Sequence, residues 1–298
     1  MFKRVFLFLL TNIAVIAVMS FVLQVLNVQP YLSDYGLEYQ QLLIYATVVG
    51  FTGSIISLFM SKWMAMHAFN VQIIKRPSTD MEAWLLSEIG ALAKKNQINM
   101  PEVGIYNSPE PNAFATGWNK NNALIAISSG LLNSMNREGI EGVLGHEISH
   151  AANGDMVTLA LIQGVVNTFV IFFARVAASI VSTILRKDSR SNGGGYVYYG
   201  IVFLFEMLFG VLASVIVMWF SRYREYRADA GSARHVGKLK MISALKQLQA
   251  LTQKTPTDNR APTFNTMKIS HQSDWFALFA SHPRLEKRIE ALEKGTFY

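Results

Sequence analysis

The sequence predicts a mainly α-helical membrane protein with a polar domain that carries a metal site, and three observations support this prediction. Only 16% of the 298 residues are charged and 51% are hydrophobic, whereas a soluble domain usually carries about 25% charged residues. Four long apolar runs interrupt the chain. Between the second and third runs lies a His-Glu-x-x-His motif, which binds zinc when it lies on a helix.

The first two apolar runs predict transmembrane helices. Residues 5–26 contain no charged side chain, and as a helix they span about 33 Å, enough to cross a hydrocarbon core of about 30 Å. Lys3 and Arg4 precede this run as in a signal peptide, but the run is longer than the usual apolar region and no clear cleavage site follows it. We therefore expect it to remain as an anchor. Residues 42–61 form a second uncharged run.

The charges that flank these two helices predict their orientation. The loop between them contains Asp34 and Glu38 but no Lys or Arg, whereas Lys62, Lys75 and Arg76 follow the second run. Positively charged residues concentrate on the cytoplasmic side of membrane proteins. The N-terminus and the polar chain after residue 62 are therefore predicted to be cytoplasmic.

The third and fourth runs, residues 156–185 and 196–221, predict an apolar helical hairpin. Each contains a charged residue, Arg175 in the first and Glu206 in the second, and such a residue is costly at membrane depth unless it has a partner or faces water. Either the two side chains pair across the hairpin, or each reaches water independently. The basic segment between the runs does not fit the positive-inside pattern, so the hairpin either spans the membrane or is embedded in it.

These boundaries predict the domain organisation. An N-terminal membrane anchor covers residues 1–62, the hairpin covers 156–221, and the polar segments 63–155 and 222–298 are expected to fold together as one domain because each is short. A net charge of +7 fits cytoplasm-facing membrane topology better than nucleic-acid binding. The lipid bilayer, and not nucleic acid, is therefore the expected partner.

Local signals predict the elements of the polar domain. Thr79 and Glu82 have the spacing of a capping box, which predicts a helix that runs to about Asn96. Two segments rich in β-branched residues predict strands, and an Asn-rich segment predicts a turn between extended segments. The strands are expected at 102–106 and 123–128, and the turn at 119–122.

The His-Glu-x-x-His motif is predicted to lie on a helix that begins after Asn136 and ends at Asn153-Gly154. His146 and His150 are four residues apart, so their imidazoles lie on one side of the helix and can bind one Zn²⁺. The chain has no cysteine, so any metal must be held by His, Asp or Glu. The alternative is that both are surface histidines on a solvated helix.

Glu147 lies beside this predicted metal-binding face. A carboxylate in that place can take a proton from an attacking water molecule, and a zinc ion lowers the pKa of such a water to about 7. An apolar stripe on another side of the same helix would face the core: Ile140, Leu144, Ile148 and Ala151.

A catalytic zinc site needs a third protein ligand and an open position. The metzincin pattern requires Gly at 153 and His at 156, but the chain has Asn153 and Met156, so that subclass is excluded. Another arrangement uses a Glu on a later helix, followed four residues on by an Asp that orients a ligating His. Glu225 and Asp229 have this spacing. The alternative is a solvated helix face on which Glu225 pairs with a neighbouring Arg.

Together these motifs resemble the HtpX group of bacterial membrane-bound zinc metalloproteases, relatives of the CAAX prenyl endopeptidases. The similarity covers nearly the whole chain, including its apolar runs. Its sequence motifs are Asn112-Ala113-Phe114-Ala115-Thr116-Gly117, His146-Glu147-x-x-His150-x-x-Asn153-Gly154-Asp155 and Ser221-Arg222-x-Arg224-Glu225-x-x-Ala228-Asp229.

The resemblance implies a gluzincin-type α-helical catalytic domain with a small sheet. It also implies one zinc ion per chain on His146, His150 and Glu225, with Glu147 as general base. The implied location is the bacterial inner membrane, and the implied substrates are damaged membrane proteins or unfolded polypeptides.

Two further similarities concern substrate binding and catalysis. The segment from Asn112 to Ala115 resembles the edge on which related enzymes bind substrate as an added strand; the alternative is an Asn-initiated turn before a buried Phe114. His282-Pro283 with Arg288 resembles a C-terminal motif of the prenyl proteases, in which the His could stabilise the oxyanion and the Arg could brace the site. The alternative is a simple helix start.

The leading functional prediction is a zinc endopeptidase that acts on misfolded membrane proteins from the cytoplasmic side. One alternative is a non-catalytic membrane scaffold or chaperone with a structural metal, which would need a fourth ligand that the sequence does not obviously supply. Another is a zinc hydrolase of a non-peptide substrate, such as a lipid-linked amide. The sequence leaves the oligomeric state open.

Overall fold

A computed structural model of the chain describes residues 38–186, 194–254 and 282–296. The helices are α1 (Tyr39–Ala68), α2 (Asp80–Lys95), α3 (Ser129–Ser134), α4 (Arg137–Asn153), α5 (Asp155–Arg186), α6 (Gly194–His235), α7 (Lys238–Lys254) and α8 (Leu285–Lys294). The strands are β1 (Gln72–Ile73), β2 (Glu102–Tyr106), β3 (Ala113–Asn119) and β4 (Asn122–Ser128). The membrane helix predicted over residues 5–26 lies outside the described residues.

The chain divides into two compact units. The first comprises Met1–Ile56 and Ala160–Val217, and the second comprises Ser57–Leu159 and Met218–Tyr298. Helices α1, α5 and α6 each continue from one unit into the other along the chain. These three helices are also long and apolar enough to cross a bilayer, which agrees with the predicted helical membrane fold.

In the first unit, α1 and α5 approach each other through small residues. A Cβ added at Gly50 would lie 2.8 Å from the backbone nitrogen of Thr168, and the Ser54 hydroxyl donates a hydrogen bond to the carbonyl of Ala160. Small side chains permit this close approach, which supplies van der Waals packing where lipid offers no hydrophobic driving force. One buried apolar cluster lies beside these contacts: Leu42, Leu43, Ala46, Phe172 and Val176.

The two charged residues of the apolar hairpin form an ion pair. Arg175 Nη1 lies 2.8 Å from Glu206 Oε1, and the guanidinium stacks over the ring of Tyr45, 5.1 Å from its centroid. The predicted pairing across α5 and α6 is therefore confirmed, and the alternative of two independent charges is wrong. Pairing lowers the cost of placing these charges in apolar segments.

Helix α6 continues through the fourth apolar run into the Glu225 segment as a single helix of 42 residues. Glu225 was predicted on a helix later than the His-Glu-x-x-His helix, and α6 is such a helix. Residues 211–230 contain neither Gly nor Pro, so the chain has no helix breaker where its polarity changes. The residues of α6 change from apolar to charged, but the helix does not end there.

The second unit contains a four-stranded sheet with the order β1-β2-β4-β3. Strands β2 and β4 are parallel, and the other two pairs are antiparallel. The two predicted strands are confirmed, as is the turn that joins β3 to β4. The full extent of β3 was not predicted, since its Ala, Gly and Asn residues weaken the strand signal.

One face of the sheet packs against α2 and α4 to form the main core. This core contains fully buried side chains from all three layers: Leu85, Ile89 and Leu92 of α2, Ile125 and Ile127 of β4, and Ile140, Leu144 and Ile148 of α4. The apolar stripe predicted for the His-Glu-x-x-His helix is thus buried. Burial of one side of α4 fixes the direction in which its other side presents the two histidines.

The predicted helix boundaries of the second unit are confirmed. The Glu82 amide donates to Thr79 Oγ1 at 3.2 Å, and α2 ends at Lys95 with Asn96 as its cap. At the start of α4, the Gly139 amide donates to Asn136 Oδ1 at 2.8 Å. Gly154 ends α4 in the left-handed region with φ of 65°, a conformation that glycine adopts without steric cost.

Candidate metal centre

Helices α4 and α6 bring the three predicted ligands together. His146 Nε2 lies 3.1 Å from His150 Nε2 and 3.4 Å from Glu225 Oε2, and His150 Nε2 lies 3.2 Å from Glu225 Oε1. All three side chains are buried, Glu225 with only 1% of its surface exposed. Within the described part of the chain, they form the group whose donor atoms are close enough to share one metal ion.

Glycine residues allow α4 and α6 to approach this closely. A Cβ added at Gly145 of α4 would lie 2.6 Å from Ser232 Oγ, and one added at Gly231 of α6 would lie 2.4 Å from Ser149 Oγ. The Ser232 hydroxyl also donates to the carbonyl of Gly142 at 2.8 Å. A side chain at either glycine would therefore separate the helix of the two histidines from the helix of Glu225.

Two aspartates hold the outer nitrogens of the histidine rings. His146 Nδ1 lies 2.9 Å from Asp229 Oδ1, and His150 Nδ1 lies 2.7 Å from Asp155 Oδ2. Because each Nδ1–H donates to a carboxylate, each Nε2 directs its lone pair at the centre, which is the tautomer that a metal ligand needs. Asp229 was predicted to orient a histidine, and the structure places it where it can do so.

Asp155 was not predicted to have a role. It was visible as the residue that follows Asn153-Gly154, five positions after His150. It is the first residue of α5, beyond the left-handed turn at Gly154. Periodicity within one helix does not extend through such a turn, so the spacing alone did not show that its carboxylate reaches His150.

Arg288 of α8 connects the C-terminal segment to this centre. Its guanidinium makes a two-pronged contact with Asp229, with Nε 2.8 Å from Oδ2 and Nη2 2.6 Å from Oδ1. Its Nη1 also lies 3.4 Å from Glu225 Oε2. Arg288 thus lies where it can brace the site, as predicted. Lysine would not reproduce its contact with Asp229, because lysine lacks the planar, forked guanidinium group.

The electrostatics of the centre favour charged carboxylates. Burial raises the pKa of Asp229, but Arg288 and His146 outweigh this effect and hold it below its usual value. Burial likewise raises the pKa of Glu225, and the histidines around it reverse the effect and hold it well below the usual range. For His150, burial lowers the pKa, but hydrogen bonds to Asp155 and Glu225 raise it to about 10 in the metal-free site. Metal binding therefore displaces the Nε2 proton of His150 and leaves the ring neutral.

The geometry fits a zinc ion. Tetrahedral zinc with ligand bonds of about 2.0 to 2.1 Å places its ligand atoms about 3.3 Å apart, and the three observed separations are 3.1, 3.2 and 3.4 Å. The buried Oε2 of Glu225 has no partner of good hydrogen-bond geometry, although ring and guanidinium nitrogens surround it. Two neutral imidazoles and one carboxylate are also a common donor set of catalytic zinc.

The two residues proposed for catalysis both lie on elements of this centre. Glu147 is half-buried on α4, next in sequence to His146. His282 precedes α8, and its Nδ1 lies 2.9 Å from Glu225 Oε2. Its side chain is 43% exposed, so it lies on the side of the centre that solvent reaches. Their catalytic roles remain predictions.

The predicted substrate segment lies at one edge of the sheet. Strand β3 is terminal in the strand order, so only one of its edges is paired among the described strands. The backbone amide and carbonyl of Asn112 both bond to Ser128, at the end of β4. Because backbone groups alternate in direction along an antiparallel strand, those of Ala113 and Ala115 point to the open edge. Phe114 is half-buried and packs against Tyr106.

Comparisons with known proteins identify the family of this chain. Residues 79–296 match peptidase family M48. Protease HtpX of Tolumonas auensis is 54% identical and the alignment covers 98% of this chain and 99% of the relative. Protease HtpX of Thioalkalivibrio sulfidiphilus is 52% identical, with 98% of each chain covered.

A solved structure shows the same fold. The crystal structure of S. mikatae Ste24p has a TM-score of 0.65 to this chain at 19% sequence identity, covering 96% of this chain and 66% of that one. The family match includes α4, α5, α6 and α8, which together carry the three proposed ligands and Asp155, Asp229 and Arg288. The fold and the full-length similarity to the two proteases thus lead to one assignment: this chain belongs to peptidase family M48 and is a membrane metalloendopeptidase.

Proposed function

We propose that this metalloendopeptidase uses one zinc ion to cleave damaged or misfolded membrane proteins from the cytoplasmic side of a bacterial inner membrane. The observation that carries the proposal is the convergence of His146, His150 and Glu225 with separations of 3.1 to 3.4 Å. The predicted domain boundaries at residues 62, 155 and 221 form part of the proposal.

The chain's own residues account for positioning and proton transfer in this reaction. Zinc, when bound, would polarise the scissile carbonyl and lower the pKa of the attacking water. Asp229 and Asp155 keep the protons of His146 and His150 on Nδ1. Glu147 takes a proton from the water and returns it to the leaving amide nitrogen, a general acid–base role worth about 10² to 10⁴ in rate.

His282 and Arg288 complete the proposed site. His282 lies on its solvent-exposed side, where a ring N–H can donate to the negative oxygen that develops on the substrate. Arg288 does not contact substrate in this proposal. It holds Asp229, and through Asp229 the ring of His146, in a fixed orientation.

The open edge of β3 supports an extended polypeptide as substrate. A peptide that adds to this edge bonds to the backbone groups of Ala113 and Ala115, with Asn112 at the start of the strand and Phe114 between them. Recognition through the backbone tolerates many sequences, but it requires a segment that has no secondary structure of its own. Damaged or misfolded proteins expose such segments, whereas intact ones rarely do.

The test is zinc content and proteolysis measured together on wild type and Glu147→Gln. In detergent, the wild type should bind one zinc per chain and cleave an unfolded membrane protein. Glu147→Gln should keep its zinc and lose at least 100-fold in kcat. Cleavage by Glu147→Gln within a few-fold of wild type would contradict the assigned base. Zinc binding without any peptide cleavage by wild type would contradict the proposed reaction.

A further inference from the structure

Helix α6 carries a row of aromatic and cationic side chains that the metal centre does not use. Trp219, Tyr223 and Arg227 follow one another at intervals of four residues. The rings of Trp219 and Tyr223 are stacked, with centroids 6.4 Å apart and planes 15° apart. The Arg227 guanidinium lies over the Tyr223 ring, 6.0 Å from its centroid. We call these three residues and Arg224 the α6 row.

The α6 row faces away from the metal centre. At about 100° per residue, Trp219, Tyr223 and Arg227 lie within about 80° of one another, and Glu225 lies about 160° from Arg227. Burial agrees with this arrangement, because Trp219 is 63% and Tyr223 36% exposed whereas Glu225 is 1% exposed. Trp219, Tyr223 and Arg227 therefore face away from the metal ligands. Arg224 lies beside this face, about 60° from Arg227 and about 100° from Glu225.

The two arginines of the row lack an anionic partner among the residues that the structure describes. Arg224 donates to Ser221 Oγ at 3.2 Å, and its Nε is buried with no hydrogen-bond partner. Arg227 contacts the face of Tyr223, and no carboxylate lies at ion-pair distance from either guanidinium within the described ranges. Two guanidinium groups without a carboxylate partner suit this surface to an anion with several acceptor oxygens.

The position of the row along α6 indicates where that anion comes from. From Tyr196 to Phe220 the helix has Glu206 as its single charged residue, and basic residues begin at Arg222. The row thus lies where an apolar, membrane-length segment gives way to a charged one. Trp and Tyr concentrate at the headgroup level of bilayers, and arginines next to them attract anionic lipids.

We propose that the α6 row binds the phosphate of an anionic phospholipid. Arg224 and Arg227 would hold the phosphate oxygens, and Trp219 and Tyr223 would pack against the glycerol and the upper acyl chains. A zwitterionic lipid leaves its own cation beside the two arginines, whereas an anionic lipid neutralises them. The site therefore favours phosphatidylglycerol over phosphatidylcholine.

The test is retention of single lipids by the full-length chain in detergent, counted by native mass spectrometry. Wild type should retain phosphatidylglycerol in preference to phosphatidylcholine. The double variant Arg224→Gln/Arg227→Gln should lose about 30-fold in phosphatidylglycerol affinity, about 1 kcal/mol for each arginine, while keeping the zinc content of wild type, which reports correct folding. Lys246→Gln is the matched control, because Lys246 is an exposed cation on α7, and it should retain the lipid as wild type does.

Other outcomes would overturn the proposal. Equal phosphatidylglycerol affinity in the double variant and wild type would show that the row is not the site. Displacement of the lipid by glycerol phosphate at equal concentration would show a site for free phosphate, and tighter retention of an acidic peptide would show a peptide site. Lipid retention does not require cleavage, so failure here leaves the proposed proteolysis intact, and failure of proteolysis leaves this site intact.

Discussion

At the scale of single residues, each of the two histidines proposed as ligands has a carboxylate at its outer ring nitrogen. Asp155→Asn should weaken zinc binding by about 10- to 100-fold, the usual effect of losing a carboxylate behind a ligating histidine. Asparagine keeps the shape of the side chain but removes the charge, and its amide can also donate to Nδ1 and so select the wrong tautomer. Competition between the protein and a fluorescent zinc chelator measures the change.

Asp80→Asn is the control for this experiment. It makes the same chemical change in the first turn of α2, away from the centre, and should leave zinc affinity at its wild-type value. Wild-type affinity in Asp155→Asn would show that its contact with His150 does not tune the metal site.

His282 is expected to act on the transition state and not on the metal. His282→Ala should lower kcat by about 10²- to 10³-fold, as loss of an oxyanion donor does in other hydrolases, with zinc content and KM close to wild type. Steady-state kinetics with zinc analysis measures both quantities. His235→Ala, at the end of α6, is the control. A kcat within a few-fold of wild type in His282→Ala would remove the residue from the mechanism.

Residues within one helix were predictable, and those related through turns were not. His146 and His150 share a helix face because four residues make about one turn, and Glu225 and Asp229 share another for the same reason. Asp155 lies beyond the left-handed turn at Gly154, where spacing no longer fixes direction. Sequence spacing thus predicted which residues share one face of a helix. It did not predict which helix faces pack together, because tertiary packing determines that.

At the scale of elements, α1 depends on one small residue for its contact with α5. A valine at position 50 would place its Cβ 2.8 Å from Thr168 N and Oγ1 and 3.1 Å from the carbonyl of Gly164. One of the two helices must then move, at a cost of about 1 to 3 kcal/mol. Gly50→Val should therefore lower the free energy of unfolding by that amount, measured by denaturant titration in detergent micelles.

The same helix supplies the control. Gly53→Val makes the same substitution three residues later, where an added Cβ meets nothing within 4 Å. The change in helix propensity is shared by both variants, so it cancels in the comparison. Equal stability of the two variants would show that the close approach of α1 and α5 contributes nothing.

Elements were predictable where a local signal marks their ends. The caps of α2 and α4 lie at Thr79, Asn136 and Gly154, where the sequence indicated them. Strand β3 has no such marker, and it becomes a strand because β4 lies beside it and pairs with it. Helix α6 continues past residue 221, where the composition changes, because residues 211–230 contain neither Gly nor Pro.

At the scale of the whole molecule, the average composition combines two different surfaces. Exposed apolar side chains are concentrated on α1 and α6, for example Ile44, Phe203 and Leu212. The buried charges instead surround the metal centre, where Glu225, Asp229 and Arg288 compensate one another. The low fraction of charged residues in the whole chain thus reflects the composition of the apolar helices. It does not describe the composition of the catalytic part. The positive net charge leads to a testable prediction of orientation.

The catalytic part of the chain should be accessible only from the cytoplasm. The chain contains no cysteine, so one introduced thiol reports one position without background. Lys246→Cys places a thiol at an exposed site on α7, and Ser33→Cys places one between the first two apolar runs. Positive-inside topology predicts that a membrane-impermeant maleimide labels Ser33→Cys in intact spheroplasts and leaves Lys246→Cys unlabelled.

Permeabilisation of the membrane provides the internal control for this experiment. After it, both thiols should react, which shows that Lys246→Cys was protected by the bilayer and not by the fold. Labelling of Lys246→Cys in intact spheroplasts would place the metal centre on the outer side. Substrates would then have to reach the metal centre from the outer side. The Lys and Arg residues after residue 61 would also lie outside, contrary to the positive-inside rule.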